Sequence, residues 1–313
     1  MKKPKTKKVR RLVERYRIDK PRKFRLEDMD CNDDGGLKAG EEADQLLAWG
    51  VERIGELQER LYAQDRWSLL LIFQAMDAAG KDSTIKHVMS GINPQGCQVW
   101  SFKRPSEEEL DHDWLWRGMV RQPERGRIGI HNRSWYEEVL VARVHPEILE
   151  RQKMPGSLVT KRIWKERFHS INEAERHLAR NGTLILKFFL NVSQEEQRKR
   201  FLSRLDEAGK NWKFEPADVR ERAHWDEYME AYEEAIRATS TPWARWHVIP
   251  ADRKWYMRLV VAAAVIEALD RLDLSLPELG AAQRKEFAEC RALLTSKTGG
   301  TKAGGAVKPL QPS

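Results

Sequence analysis

The apolar run SLLLIF at residues 68–73 is separated by Gln74 alone from AMDAAGKDST at 75–84. A short run without polar alternation suits a strand buried on both faces, as in a parallel sheet covered by helices. The residues that follow read as a tight turn opening a helix over 80–89. A helix start presents unpaired amides and the positive end of the peptide dipole, so the turn is suited to an anion. The pattern approximates GxxxxGK[ST], with Ala75 replacing the first Gly and Asp82 standing where Ser or Thr is expected. Ala78, Ala79 and Gly80 are small enough to let backbone amides face a phosphate, and Lys81 adds a point charge. Ser83 or Thr84 is placed to assist a metal or the phosphate. The plainer alternative is an ordinary strand-to-helix turn with a solvated lysine.

Asp77 sits inside that cradle, where a carboxylate repels an anionic ligand unless a cation lies between them. Mg²⁺ would supply the bridge; the alternative is that Asp77 caps the following helix.

The rest of the chain alternates in the same way. Residues 41–63 form an amphipathic helix after a glycine break at 35–40. Strands are expected at 99–102, 127–131, 183–190 and 246–249, and helices at 106–120, 135–144, 163–180, 193–205, 216–238 and 255–272. Asn181 and Gly182 close the helix before the strand TLILKFFL, and SEEE at 106 and SQEE at 193 read as capping boxes. This βα alternation predicts an α/β fold, a mainly parallel sheet with helices on both faces and ligands at the carboxyl ends of the strands.

Charge separates the termini from this body. Residues 1–25 hold thirteen Lys or Arg against Glu14 and Asp19, a net +11 that leaves −3 for the remainder of a chain whose total is +8. Residues 1–40 therefore read as a basic N-terminal arm, 41–280 as the folded domain, and 281–313 as the end of a helix followed by a disordered Gly- and Lys-rich tail. Cys31, Cys97 and Cys290 show neither a disulfide framework nor zinc-ligand spacing, which points to the cytoplasm. No apolar run approaches the roughly 18 residues of a membrane span, and the basic N-terminus lacks a secretory apolar segment.

A second chemical group is expected at another strand end, where 127–138 reads RIGIHNRSWYEE. Asn132 stands where a metal-holding carboxylate would be expected, so Asp77 and Glu137 are the candidate metal ligands. Arg133 is suited to bidentate contact with phosphoryl oxygens, or to a structural ion pair. Arg198, Arg200 and Arg204 lie on the helix before KNWKF, which with Lys210 and Lys213 reads as a lid around 193–216, or as a solvated basic helix face. Lys103, Arg104, Arg117 and Arg121 are further candidates for a basic channel.

The segments AMDAAGKDST, NPQGCQVWSFKRPSEEELDHDWLWR (93–117), HNRSWYEE and EEQRKRFLSRLDEAGKNWKFEPAD (195–218) resemble the motifs of the polyphosphate kinase 2 family in matching order, over roughly 24–279. The resemblance implies a three-layer α/β/α P-loop kinase fold, similar to thymidylate kinase, with a helical lid. It implies Mg²⁺-dependent, reversible phosphoryl transfer between inorganic polyphosphate and nucleotides by a homodimer or homotetramer, with Mn²⁺ as a substitute metal. The P-loop Asp and Lys of the family match Asp77 and Lys81, and its Walker B position and following Arg match Asn132 and Arg133. Asn at that position, with Glu137 five residues on, is similar to the group accepting both nucleoside mono- and diphosphates. The departures are Ala75 and Ser83 for the usual glycines, His131 for a usual Phe, and Trp135 where that group often has His. No membrane and no specific nucleic acid is expected as a partner. The rival readings are an ATP-dependent nucleoside monophosphate kinase and a non-catalytic polyanion-binding protein.

Overall fold

Leu69, Leu70, Leu71, Ile72 and Phe73 have no solvent exposure at all, which requires strand neighbours on both sides and covered faces above and below. The computed structural model describes residues 11–295 and supplies both. The strand β1 (Ser68–Gln74) lies between β3 (Ile128–Asn132) and β4 (Thr183–Asn191), with Leu71 opposite Ile130 on one side and Leu186 on the other. β2 (Cys97–Ser101) pairs with β3, and β5 (Trp246–Pro250) pairs with β4. Among the described residues the sheet has the order β2-β3-β1-β4-β5, with every pairing parallel. The chain leaves β1 for β2 and β3 on one side and returns on the other as β4. The carboxyl end of β1 is therefore a topological switch point, where open α/β sheets leave a crevice for ligands.

The helices, in chain order, are α1 (Glu41–Gln64), α2 (Lys81–Val88), α3 (Glu107–Asp111), α4 (Trp116–Met119), α5 (Glu137–Val144), α6 (Glu147–Arg151), α7 (Ile163–Arg180), α8 (Gln194–Asp206), α9 (Pro216–Glu221), α10 (Trp225–Thr239), α11 (Lys254–Asp270) and α12 (Ala281–Thr295). α11 is apolar around its circumference and buried accordingly, packed against α1 on one side and the sheet on the other. α12 belongs to a separate C-terminal unit beginning at Leu276, and the tail expected after it lies outside the described residues.

Three expected elements differ. The helix expected over 106–120 is two short helices: the capping box of Ser106 and Glu109 forms, but α3 stops at Asp111, and the Asp113 carboxylate accepts the Leu115 N–H before α4 begins. The second capping box is half made. Ser193 Oγ accepts the Glu196 N–H, yet the Ser193 N–H goes to Asp252 and Glu196 is spent on Arg200. The helix expected over 216–238 is interrupted by a 3-10 turn at Arg222–His224.

The basic arm is also more than a solvated segment. Val13, Tyr16 and Ile18 are buried, the Ile18 N–H donates to the Trp246 carbonyl and the Val248 N–H to that of Tyr16. Arg17 forms an antiparallel bridge with His247, so these residues cover the free edge of β5. Apolar side chains spaced among the cations do this, and a net-charge count does not see them.

Candidate active site

The turn after β1 takes a shape that ordinary residues resist. Ala78 has φ +60 and Gly80 φ +108, left-handed values that bend the backbone back toward the start of α2. A Cβ on Gly80 would lie 3.2 Å from Met257 Cε and 3.4 Å from Ser83 Oγ. Lys81 is buried, and its ammonium donates to the carbonyls of Ala75 at 2.7 Å and Met76 at 3.4 Å. Burial, and then the Arg133 charge, pull its pKa below the ordinary lysine value. Ser83 faces the cavity described next and donates to the Gly80 carbonyl at 3.0 Å; Thr84 is fully buried beneath the turn and does not reach it.

Above this turn lies a cavity of about 590 Å³. Its wall carries nine cations, Lys81, Lys103, Arg104, Arg133, Arg200, Arg204, Lys210, Lys213 and Lys254, against four carboxylates, Asp77, Asp82, Glu215 and Asp218. That excess suits a polyanion. Lys254 lies outside the motifs and comes from the start of α11, while Glu215 and Asp218 close the 195–218 segment where α9 begins.

Asn132 and Arg133 enter from the end of β3. The Asn132 amide donates to Asp82 at 2.6 Å. Arg133 has φ +65, its N–H is held by the Phe73 carbonyl at 3.0 Å, and its guanidinium reaches Asp77 at 2.8 Å and Glu137 at 3.3 Å. The Glu137 charge, outweighing burial, with Asp77 behind it, raises the Arg133 pKa, so it remains a cation. Glu137, expected as a metal ligand beside Asp77, lies against Arg133 in this structure. It is absent from the cavity wall, one of its oxygens accepts from Gln74 at 2.9 Å, and the other takes Arg133. It braces Arg133.

The expected lid cations separate into different kinds. Arg200 is buried and makes bonds to the carbonyls of Ala78, Ala79, Ala251 and Asp252 and to Glu196, all at 2.7–3.1 Å. At the cavity wall it brackets the turn, with its donors spent on backbone carbonyls and Glu196. Arg198 is exposed, pairs with Glu195 on its own helix and is absent from the cavity wall. Arg204 faces the cavity, held by Asp218 at 3.3 Å and the Lys213 carbonyl at 3.1 Å, while Lys210 and Lys213 lie on the short 3-10 helix Ala208–Lys213. Burial, and then Asp77, push the Asp218 carboxyl up to about 6. Gln197, not singled out in the sequence, donates to the Asp77 carbonyl at 2.9 Å.

Arg117 and Arg121, expected along a basic channel, are not on the wall of this cavity. Arg117 is buried against the Phe102 ring and donates to the Lys103 carbonyl at 2.7 Å, so it holds the backbone of Lys103, which does face the cavity. Arg121 lies over the Trp100 ring and pairs with Glu109.

A protein chelate for a metal would need several hard donors together. Among the described residues no three His, Cys, Asp or Glu side chains gather as a cage. Asp77 on the cavity wall nevertheless fits a divalent cation held by a single carboxylate, substrate phosphates and waters, the usual arrangement for Mg²⁺.

The sequence profile of Polyphosphate kinase 2 (PPK2) matches residues 37–276. The chain belongs to the polyphosphate kinase 2 family. It is 50% identical over 283 residues to an ADP-polyphosphate phosphotransferase of Rhodopseudomonas palustris, covering 90% of this chain and 98% of that one. It is 43% identical over 274 residues to an AMP/ADP-polyphosphate phosphotransferase of Meiothermus ruber, covering 87% and 98%. The crystal structure of Polyphosphate Kinase 2 from Arthrobacter aurescens TC1 superposes with a TM-score of 0.80 at 39% identity, covering 89% of this chain and 96% of that one. As a polyphosphate kinase 2 family member the protein is a phosphotransferase with the P-loop kinase fold. Among the described residues no helix is long and apolar enough to cross a membrane.

Proposed function

We propose that this polyphosphate:nucleotide phosphotransferase accepts both nucleoside mono- and diphosphates, moving phosphoryl groups reversibly between them and inorganic polyphosphate with Mg²⁺. The observation that carries the reading is the cavity wall: nine cations line the cavity above the turn at Gly80, with an amide, Asn132, in place of a second carboxylate at the end of β3. The name of the Meiothermus ruber relative, which includes both AMP and ADP, supports the dual acceptor.

In-line phosphoryl transfer needs little covalent chemistry from the protein; positioning and neutralisation of oxygen charge do most of the work. The amides of Ala78 and Gly80 cradle the nucleotide phosphates, joined by that of Ala79 once it leaves the Met76 carbonyl, 3.3 Å away in this structure. Lys81 exchanges its two carbonyl partners for phosphate oxygens. Arg133 leaves Asp77 to contact the transferring group, which frees a carboxylate for the metal. Bound there, Mg²⁺ would neutralise phosphate charge; Mn²⁺ suits the same oxygen donors. Lys103, Arg104, Arg204, Lys210 and Lys213 line the path of the polymer, whose repeating charge needs a basic wall and no sequence readout. One phosphoanhydride is exchanged for another, so concentrations set the direction. The reading includes action in the cytoplasm and assembly as a homodimer or homotetramer.

An acceptor panel tests it: AMP, ADP, GMP and GDP, each with Mg²⁺ and polyphosphate, and then with ATP replacing the polymer. Conversion of both mono- and diphosphates with polyphosphate is expected. Product from diphosphates alone sinks the dual assignment, and turnover of monophosphates with ATP alone favours a nucleoside monophosphate kinase.

A further inference from the structure

Three polar side chains the reaction does not use lie in the interior behind the Arg133 turn. Lys187, in the middle of β4, and Glu175, on α7, have no exposed side-chain surface, and Tyr136, next to the start of α5, is equally buried. Every proton of the Lys187 ammonium is placed: on Glu175 at 2.6 Å, on the Thr239 carbonyl at 2.7 Å and on the Tyr136 hydroxyl at 2.9 Å. The Tyr136 hydroxyl in turn donates to the other Glu175 oxygen at 2.8 Å, and its ring packs edge-on against Trp246 at 4.7 Å.

A buried ion pair adds little stability over well-packed apolar side chains, so its contribution lies in where it places its partners. Here the partner is Tyr136, which lies within the turn Ser134–Glu137 that directly follows Arg133. The Tyr136 N–H is taken by Ser134 Oγ at 3.1 Å, and the Glu137 N–H by the Ser134 carbonyl at 3.1 Å. Arg133, left-handed at φ +65, occupies a backbone state that a non-glycine residue keeps only when its surroundings over-determine it. Its N–H is fixed from β1 and its guanidinium by Glu137, the residue after Tyr136.

We propose that Tyr136, seated through its hydroxyl on the Lys187–Glu175 pair, is a positioning residue that holds the Arg133 turn in the geometry required for phosphoryl transfer. The inference rests on the reading that Arg133 contacts the transferring group.

A double-mutant cycle on kcat in the full-length protein, with saturating Mg²⁺, polyphosphate and ADP, tests both separately. Tyr136→Phe keeps the ring and leaves Lys187 and Glu175 paired; it is expected to lower kcat about tenfold, with the ADP KM within twofold, since misplacement of a reacting contact acts chiefly on the chemical step. Arg133→Lys lowers kcat by itself, and the combined variant falls little further than the worse single, because both remove the same contact. Losses that multiply, or a native kcat for Tyr136→Phe, overturn the proposal while leaving Arg133 in the reaction. A native kcat for Arg133→Lys removes Arg133 from the reaction and the proposal with it. Should Tyr136→Phe not fold by circular dichroism, Glu175→Gln takes its place in the same cycle, with the same outcomes.

Discussion

Arg133 and Asp77 lie 2.8 Å apart across the carboxyl ends of β3 and β1, so the cation assigned to the transferring phosphoryl group and the carboxylate assigned to the metal neutralise each other in this structure. Substrate binding must separate them. On the proposed reading the pair keeps both groups near their places until phosphate takes Arg133 and the metal takes Asp77.

Replacing Asp77 with Asn removes one strong electrostatic group from the phosphate cradle. The expected loss is about 10² in kcat, the scale of removing a single preorganised charge or donor. Steady-state turnover of ADP with polyphosphate measures it, and a variant with near-native kcat takes Asp77 out of the chemistry.

Glu137 and Asp77 should differ in their response to magnesium. With both Glu137 oxygens occupied by Gln74 and Arg133, Glu137→Gln is expected to lower kcat while leaving the Mg²⁺ concentration for half-maximal rate unchanged. Asp77→Asn should raise that concentration. A Mg²⁺ titration in which Glu137→Gln shifts as far as Asp77→Asn would restore Glu137 as a ligand.

Arg200 and Arg198, two residues apart on α8, should behave as opposites. Arg200→Ala leaves four backbone carbonyls and Glu196 without their donor and is expected to cost about 3 kcal/mol of stability, the scale of removing one side of a buried charged network. Arg198→Ala, at an exposed i,i+3 pair, should leave stability almost unchanged. Urea unfolding of the two variants is the measurement; equal losses would return Arg200 to the surface.

Asp218 gives the cavity a pH response. Its folded pKa, about 6, lies above the ordinary 3.8, so the folded state binds the proton more tightly. Its contribution to stability therefore diminishes as pH rises from about 4 through 6. In the same window protonation releases Arg204 from its partner and makes the wall more positive. The polyphosphate KM should fall as pH drops from 7 to 5.5, and Asp218→Asn should flatten that change; an unaltered pH profile in the variant would assign it to the substrates.

The βα alternation was legible because a strand buried between two others is apolar along most of its length: 69–73 is unbroken, and 184–190 is broken only by Lys187, which the fold pairs with Glu175. The helix over 163–180 was bounded to the residue by the Asn181 and Gly182 stop, as Gly182 takes φ +85. Local rules failed where a distant group competed: the Ser193 amide found Asp252 instead of Glu196, so the same four-residue signature that closed at Ser106 stayed half open.

The phosphate turn, its lysine and the Asn132–Arg133 pair could be read from the chain alone, since neighbours in sequence create them and strand order brings them to one end of the sheet. Which arginines face the cavity was decided only in three dimensions. Arg117, Arg198, Arg200 and Arg204 are alike as letters, each a cation on a helix; one holds the Lys103 carbonyl, one pairs on the surface, and two reach the cavity wall, Arg200 with its donors spent on carbonyls of the turn and Arg204 held by Asp218. A guanidinium satisfies its donors with whichever acceptors the fold presents, and those acceptors are carbonyls of segments far away in sequence, which no local pattern encodes.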